Sequence, residues 1–128
     1  MKCSGTITLT TDFGLSDPYV GIMKGVILSI NPAARVTDIS HLIKAGSVMQ
    51  AACIIEEAYT FFPKGTVHVA VVDPGVGTER RLILLETEEY LFVGPDNGIF
   101  WPIIVSNSCA IAIRNGREAS LPCFRLKN

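Results

Sequence analysis

Asp73 lies where an apolar run meets a glycine loop, a setting in which a carboxylate can do chemistry. The preceding run, residues 66–72, is rich in β-branched side chains and predicts a buried strand, and open α/β sheets bind ligands outside the carboxyl ends of such strands. Glycines after Asp73 allow close backbone approach, and Arg80 and Arg81 follow near enough for a guanidinium to pair with the carboxylate. The stretch predicts a charged ligand site, and a tight turn with a surface ion pair explains the same residues equally well.

Asp12 follows another strand in the same way. Residues 6–11 alternate β-branched and apolar side chains before the chain turns at Asp12 and Gly14. If the two strands are parallel neighbours, Asp12 and Asp73 lie on one rim of the sheet. A pocket with these two residues could hold ribose hydroxyls, since an ionised carboxylate accepts two of them at once. The competing interpretation is a loop carboxylate that caps backbone amides.

Asp17, Asp96 and Asn97 are further polar candidates in turns. Asp17 precedes Pro18 and is predicted to cap the first helix, a role that explains it without a ligand. Asp96 and Asn97 belong to the turn at 94–98, whose Asn-Gly step favours left-handed backbone conformations. The turn alone explains both residues, so a ligand role needs further support.

Metal-binding patterns are weak in this sequence. His41 follows a predicted strand, where a lone histidine is more often a hydrogen-bonded structural residue than a metal ligand. The four cysteines form no CxxC pair, which favours reduced structural thiols over disulfides or zinc. A metal-dependent hydrolase with Asp12, Asp73 and His41 as ligands remains an alternative hypothesis.

The order of predicted elements is strand, helix, strand, helix, strand, followed by a hairpin-like part. This order predicts an α/β domain over residues 1–113, with a largely parallel sheet and flanking helices, and a poorly patterned tail at 114–128. The predicted elements are strands at 6–11, 35–40, 66–72, 82–85, 90–93 and 109–113, helices capped by Asp17 and by a Ser47–Gln50 capping box, and an apolar segment at 99–105.

Composition excludes several classes of protein. The chain has 128 residues, 48% hydrophobic content and a formal net charge of -1, which suits one domain with its own core. No basic stripe indicates a nucleic-acid partner. The apolar runs are too short to span a bilayer, and the amino terminus lacks a signal-peptide core, so we expect a soluble cytoplasmic protein with no membrane partner.

Several motifs together resemble the S-adenosyl-L-methionine (SAM) hydroxide adenosyltransferase family, the hydrolytic relative of the SAM-dependent fluorinase and chlorinase. The resemblance implies that SAM is the small-molecule substrate, that water splits it into adenosine and L-methionine without a metal or cofactor, and that the protein is a homotrimer. The matching motifs occur in order along the chain: Thr10-Thr11-Asp12-Phe13-Gly14, Asp17-Pro18-Tyr19-Val20-Gly21, Asp38-Ile39-Ser40-His41, Phe62-Pro63-Lys64-Gly65-Thr66-Val67, and residues 71–81 and 94–98.

The resemblance also implies residue roles. Asp73 and Arg80 match two members of an Asp-Arg-His set that orients and activates the attacking water. Asp12 matches the carboxylate that holds the ribose hydroxyls, and Asp17 matches one near the methionine amino group. The turn that shapes the family's pocket matches Asp96 and Asn97.

The sequence departs from the family in its last part. Family members are longer, and a β-rich C-terminal domain completes the SAM site of a neighbouring subunit in the trimer. The family's histidine lies in a motif beyond Asn128, and neither His41 nor His68 matches it. We therefore expect a truncated chain in which hydrolysis is incomplete, with a catalytically inactive SAM- or adenosine-binding remnant as the alternative.

Overall fold

A computed structural model describes residues 1–75 and 81–114 of the chain. Six strands and three α-helices account for most of these residues, and a short 3-10 turn, Tyr59–Phe61, follows the second helix. The strands are β1 Thr6–Thr11, β2 Arg35–Ser40, β3 Val67–Val71, β4 Leu82–Glu86, β5 Leu91–Pro95 and β6 Ala110–Arg114, and the helices are α1 Tyr19–Ile30, α2 Val48–Ala58 and α3 Trp101–Ser106.

The six strands form one sheet in the order β2-β1-β3-β5-β4-β6. Strands β2, β1, β3 and β5 pair in parallel, and β4 runs antiparallel to both β5 and β6. The largely parallel α/β fold is therefore confirmed, and the hairpin-like part is β4 with β5. The division at residue 113 stays a prediction, because residues 115–128 lie outside the described part of the chain.

The core packs α2 and α3 against the sheet. Alternation along β3 turns Ala70 towards this core, while α2 contributes Ala51 and Ile55 from successive turns of one face. Phe92 of β5 and Phe100 before α3 are its largest fully buried members. Burial of each such aromatic side chain stabilises the fold by roughly 1.5–3 kcal/mol.

Helix α1 differs from α2 because none of its residues is fully buried. Its apolar side chains Ile22, Val26 and Ile30 are exposed, Ile30 to 82%. No described helix is long and apolar enough to cross a membrane.

The two helix starts differ in detail from the predictions. Pro18, not Asp17, is the N-cap of α1, because the ψ of 0° at Pro18 lies outside the helical range. No side chain caps that helix, since proline has no side-chain acceptor. Ser47 does cap α2 by accepting the backbone N–H of Gln50 at 3.3 Å. The reciprocal half of the capping box is absent, since the Gln50 side chain accepts the backbone N–H of Lys44 at 2.7 Å instead.

Candidate active site

Asp12 and Asp73 follow the ends of neighbouring parallel strands. The register of β1 and β3 pairs Thr11 with Val71, which places the two carboxylates on the same edge of the sheet. The predicted parallel arrangement is therefore correct. We call the edge that carries Asp12, Gly46, Asp73 and Asn97 the site rim.

Gly46 joins the loops that carry the two carboxylates. Its backbone N–H donates to Asp12 Oδ2 at 2.8 Å, and its φ of +72° is one that a residue with a side chain rarely adopts. A Cβ at this position would lie 3.2 Å from the Cβ of Pro74, so the loop packs tightly beside Asp73. One oxygen of Asp12 thus caps an amide, as the competing interpretation expected, while Oδ1 accepts no hydrogen bond from a described residue.

Asp73 is partly buried at the end of its loop. Its Oδ1 accepts the backbone N–H of Gly75 at 3.1 Å, which orients the carboxylate. Arg80 lies outside the described residues, so its pairing with Asp73 stays a prediction. Arg81 is exposed, and its backbone carbonyl accepts the N–H of Asp96 at 2.9 Å, which ties the returning chain to the site rim.

Asn97 uses its side chain to join two strand ends. Its Nδ2 donates to the carbonyl of Val72 at 2.9 Å, and its Oδ1 accepts the N–H of Ile99 at 3.2 Å. Because Val72 directly precedes Asp73, this contact fixes the backbone from which the catalytic candidate projects. Asp96, predicted beside it, is exposed on the same turn.

Asp17 is the candidate that the described contacts do not join to the others. It is exposed in the loop before α1. Phe13 precedes this loop in the sequence and Tyr19 follows it, and their rings pack with centroids 6.0 Å apart. Its predicted place near a methionine amino group stays a prediction.

His41 contributes to the site in a way that sequence reasoning missed. It is only 3% exposed; its Nδ1 lies 2.8 Å from Thr11 Oγ1, and its Nε2 lies 2.7 Å from Asp38 Oδ1. The Nε2–Oδ1 contact is within ion-pair distance but lacks hydrogen-bond alignment, so the carboxylate acts on the ring through its charge. Among the described residues, no group of three histidine, cysteine or acidic side chains is placed to hold a metal.

Asp38 connects His41 to a second charge. Its Oδ2 lies 2.8 Å from Lys24 Nζ. Partial burial raises the pKa of Asp38, but the Lys24 and His41 contacts outweigh that effect and hold it below its usual value. The Asp38-Ile39-Ser40-His41 motif was the only sequence signal for this arrangement.

A cavity lies at the opposite edge of the sheet. It has a volume of about 370 Å³ and is lined by residues 59–60, 87–90 and 106–108. The buried Thr87 hydroxyl and the Tyr90 hydroxyl at its wall are hydrogen-bonded to backbone carbonyls of Tyr90 and Phe62. We place the functional site at the site rim instead, since the carboxylates that follow parallel strands converge there.

The fold and the site define an α/β domain that carries carboxylates at the carboxyl ends of parallel strands. A family model described as the SAM hydroxide adenosyltransferase N-terminal domain matches residues 7–126. The chain therefore belongs to the SAM hydroxide adenosyltransferase family, as the sequence motifs predicted.

Curated relatives agree with this assignment. The chain is 52% identical over 99 residues to a protein of Methanocaldococcus jannaschii named (R)-S-adenosyl-L-methionine hydrolase, a match that covers 73% of this chain and 37% of that protein. A fluorinase of an Actinoplanes species is more distant, at 26% identity over 121 residues, with 77% of this chain and 41% of that protein covered. The matched part of the chain thus spans well under half the length of these relatives.

Solved structures share the fold. A protein of Thermotoga maritima, titled an uncharacterized conserved protein, is 39% identical with a TM-score of 0.80, covering 84% of this chain and 42% of that one. A conserved hypothetical protein of Thermus thermophilus is 37% identical with a TM-score of 0.77, covering 84% of this chain and 46% of that one.

Proposed function

We propose that the chain carries the ribose-binding and water-orienting part of a SAM hydrolase, which forms adenosine and L-methionine. The observation that carries this proposal is the convergence of Asp12 and Asp73 through Gly46 on one rim. In this role Asp12 accepts the ribose hydroxyls through its remaining lone pairs. Asp73 faces the reacting carbon.

The reaction is a displacement at the saturated C5′ carbon. A bond forms between the water oxygen and C5′, the C5′–S bond breaks, and its electron pair turns the sulfonium into the neutral thioether of methionine. Asp73 accepts the proton of the water, and Arg80 holds the carboxylate by a charge-assisted pair. The site therefore needs alignment and exclusion of bulk water, and no oxyanion hole, cofactor or metal takes part.

The substrate is SAM, and the configuration at sulfur is part of the proposal. The curated relatives are named for the R form, so we expect this chain to share that preference. Asp17 contacts the methionine amino group, and Asp96 lines the pocket mouth. Asn97 acts from behind, through its hydrogen bond to the Val72 carbonyl.

Assembly and location belong to the same proposal. The exposed apolar stripe of α1, with Ile22, Val26 and Ile30, suits burial between subunits of a homotrimer. Exposed free thiols at Cys3 and Cys53 suit the reducing cytoplasm.

The test is to incubate the purified chain with each sulfonium epimer of SAM and to detect adenosine and methionine by chromatography. Calorimetry with adenosine measures binding separately. Asp73→Asn is expected to abolish turnover and keep adenosine binding, because it removes the proton acceptor and preserves shape. Asp12→Asn is expected to weaken adenosine binding roughly ten- to a hundredfold, the loss typical of hydrogen bonds to a charged group.

Glu88→Gln serves as the control, because Glu88 is an exposed carboxylate at the opposite edge of the sheet. Adenosine binding without turnover in the unaltered chain would favour the inactive binding remnant. A loss of binding in Asp73→Asn as large as that in Asp12→Asn would contradict the separate roles.

A further inference from the structure

The turn after β1 presents Asp12 to the site rim, and it is held by few contacts. The Phe13 N–H donates to Thr11 Oγ1 at 3.2 Å, and the Gly14 N–H donates to the backbone carbonyl of His41 at 2.8 Å. Gly14 has a φ of +72°, so the chain reverses sharply here. The Gly46 N–H holds the Asp12 carboxylate directly at 2.8 Å. The backbone of the turn that carries Asp12 depends in addition on what fixes Thr11 and His41.

The His41 ring fixes the same hydroxyl that orders the turn. Nδ1 lies 2.8 Å from Thr11 Oγ1, with both groups buried. Because the Asp38 carboxylate lies beside Nε2, we assign the ring proton to Nε2 and leave Nδ1 as the acceptor of the Thr11 hydroxyl hydrogen. The Thr11 hydroxyl then donates its hydrogen to His41 Nδ1 and accepts the Phe13 N–H with a lone pair, so the two hydrogen bonds are compatible.

We propose that His41 is a positioning residue that locks the residue 11–14 turn and thereby holds Asp12 in its ribose-binding place. The ring acts through Thr11, and the His41 backbone carbonyl acts through Gly14. This inference rests on the proposed function for the role of Asp12. His41 itself touches no substrate in this scheme.

The second histidine supplies a matched comparison. His68 Nδ1 lies 2.6 Å from Thr8 Oγ1, so the same pairing occurs on the same strand, three residues before Thr11 and away from the site rim. Thr8 and His68 are both buried, and among the described residues no side-chain hydrogen bond joins either of them to the residue 11–14 turn. If a buried Thr–His pair only stabilises the fold, removing either pair should therefore have the same effect on adenosine affinity.

The test compares Thr11→Val with Thr8→Val in the full chain, with adenosine as the probe in calorimetry and amide hydrogen exchange measured by NMR. Thr11→Val and His41→Gln should weaken adenosine binding roughly three- to tenfold, the effect of one lost hydrogen bond. Thr8→Val should leave the affinity unchanged. His41→Asn keeps an amide oxygen near the place of Nδ1 and should restore much of the affinity lost in His41→Gln.

Amide exchange separates failure of this inference from failure of the proposed function. Faster exchange at Phe13 and Gly14 in His41→Gln than in Thr8→Val supports the lock, because His41→Gln leaves the Thr11 hydroxyl in place. This holds even if the unaltered chain binds no adenosine, an outcome that would count against the proposed function alone. Equal exchange at these amides in both variants would overturn the inference. Equal loss of affinity in Thr8→Val and Thr11→Val, with both variants folded, would overturn it as well.

Discussion

The two histidines of the chain are both buried, and both pair through Nδ1 with a threonine of β1. Their surroundings differ. His41 lies beside the Asp38 carboxylate, close to the residue 11–14 turn. His68 is surrounded by aromatic rings, stacked on Phe92 at 5.2 Å. A buried histidine thus occupies a charged environment beside a loop at His41 and an apolar environment within the sheet at His68.

The difference extends along the sheet. At the site rim, three hydrogen bonds hold the loops that follow the strands. The Gly46 N–H donates to Asp12, Asn97 Nδ2 donates to the Val72 carbonyl, and His41 Nδ1 accepts from the Thr11 hydroxyl. We call the opposite edge, with Gly5, Lys64, Glu89 and Asn107, the far rim. Polar contacts at the far rim connect residues that precede strands or follow helices. Substitutions there should therefore affect stability alone, whereas equivalent substitutions at the site rim should affect both stability and ligand binding.

The largest predicted effect concerns His68 and pH. Burial lowers the pKa of His68 to about 4, and a backbone hydrogen bond with Tyr59 only partly opposes the shift. The unfolded chain takes up a proton below the ordinary pKa of 6.5, while the folded chain stays neutral until about 4. Stability is therefore complete above that ordinary pKa and falls by about 3 kcal/mol as the pH drops through this window.

Urea unfolding of the unaltered chain and of a Thr8→Val, His68→Phe double variant across this pH range measures the effect. The double variant removes the titrating ring and its threonine partner together, and should lose much less stability on acidification. Asp38 does not confuse the comparison, because its lowered pKa makes its contribution disappear only at lower pH. Identical pH dependence in both proteins would show that His68 is not the responsible group.

Asn97→Asp is the next largest change. It replaces the amide donor to the Val72 carbonyl by a carboxylate oxygen, and an unsatisfied buried group of this kind costs about 1–3 kcal/mol. Asn107→Asp makes the same change at the far rim, where Nδ2 donates to the Ile103 carbonyl at 2.9 Å. Both variants should unfold at lower urea concentration, and calorimetry should find weaker adenosine binding only in Asn97→Asp. Weaker binding in both would contradict the distinction between the rims.

Gly46→Ala tests the packing between the two carboxylate loops. An alanine at its φ of +72° costs about 1–2 kcal/mol, and its Cβ would press on Pro74 at 3.2 Å. Gly5→Ala is the matched control, because Gly5 has a φ of +82° with open space around it. Similar losses of stability are expected from chemical unfolding, together with weaker adenosine binding in Gly46→Ala alone. Unchanged binding in Gly46→Ala would mean that the Asp12 and Asp73 loops are independent.

Sequence reasoning predicted the elements well because β-branched runs and glycine or proline turns are local signals. It also predicted that Asp12 and Asp73 share a rim, since parallel strands place their carboxyl ends together. It missed the connections of Gly46 and His41, because a backbone donor and a buried ring owe their roles to residues 34 and 30 positions away. No local pattern reports such contacts.

The helix starts show a similar limit. Asp17 and Pro18 form a good capping sequence, yet the backbone of Pro18 turns one residue too late for Asp17 to cap α1. The Gln50 side chain accepts the backbone N–H of Lys44 and not that of Ser47, which the capping box predicted. Both outcomes depend on how the preceding loop approaches the helix, which tertiary contacts decide. The Asp73–Arg80 pair, resting on sequence alone, remains a prediction.

The smallest effect concerns surface charge at the two rims. Lys24→Gln removes a 2.8 Å contact with Asp38, and Lys64→Gln removes a 3.1 Å contact with Glu89. Exposed ion pairs contribute about 0–1 kcal/mol, and the Lys24 pair should lie near the top of that range because Asp38 also contacts buried His41. Lys64 is 76% exposed, so the loss of stability in Lys64→Gln should be within experimental error. Urea unfolding at low salt measures both, and added salt should reduce the Lys24 effect by screening. Equal losses of stability in the two variants would mean that the charge of Lys24 does not stabilise the Asp38–His41 contact. The loops alone would then hold the site rim.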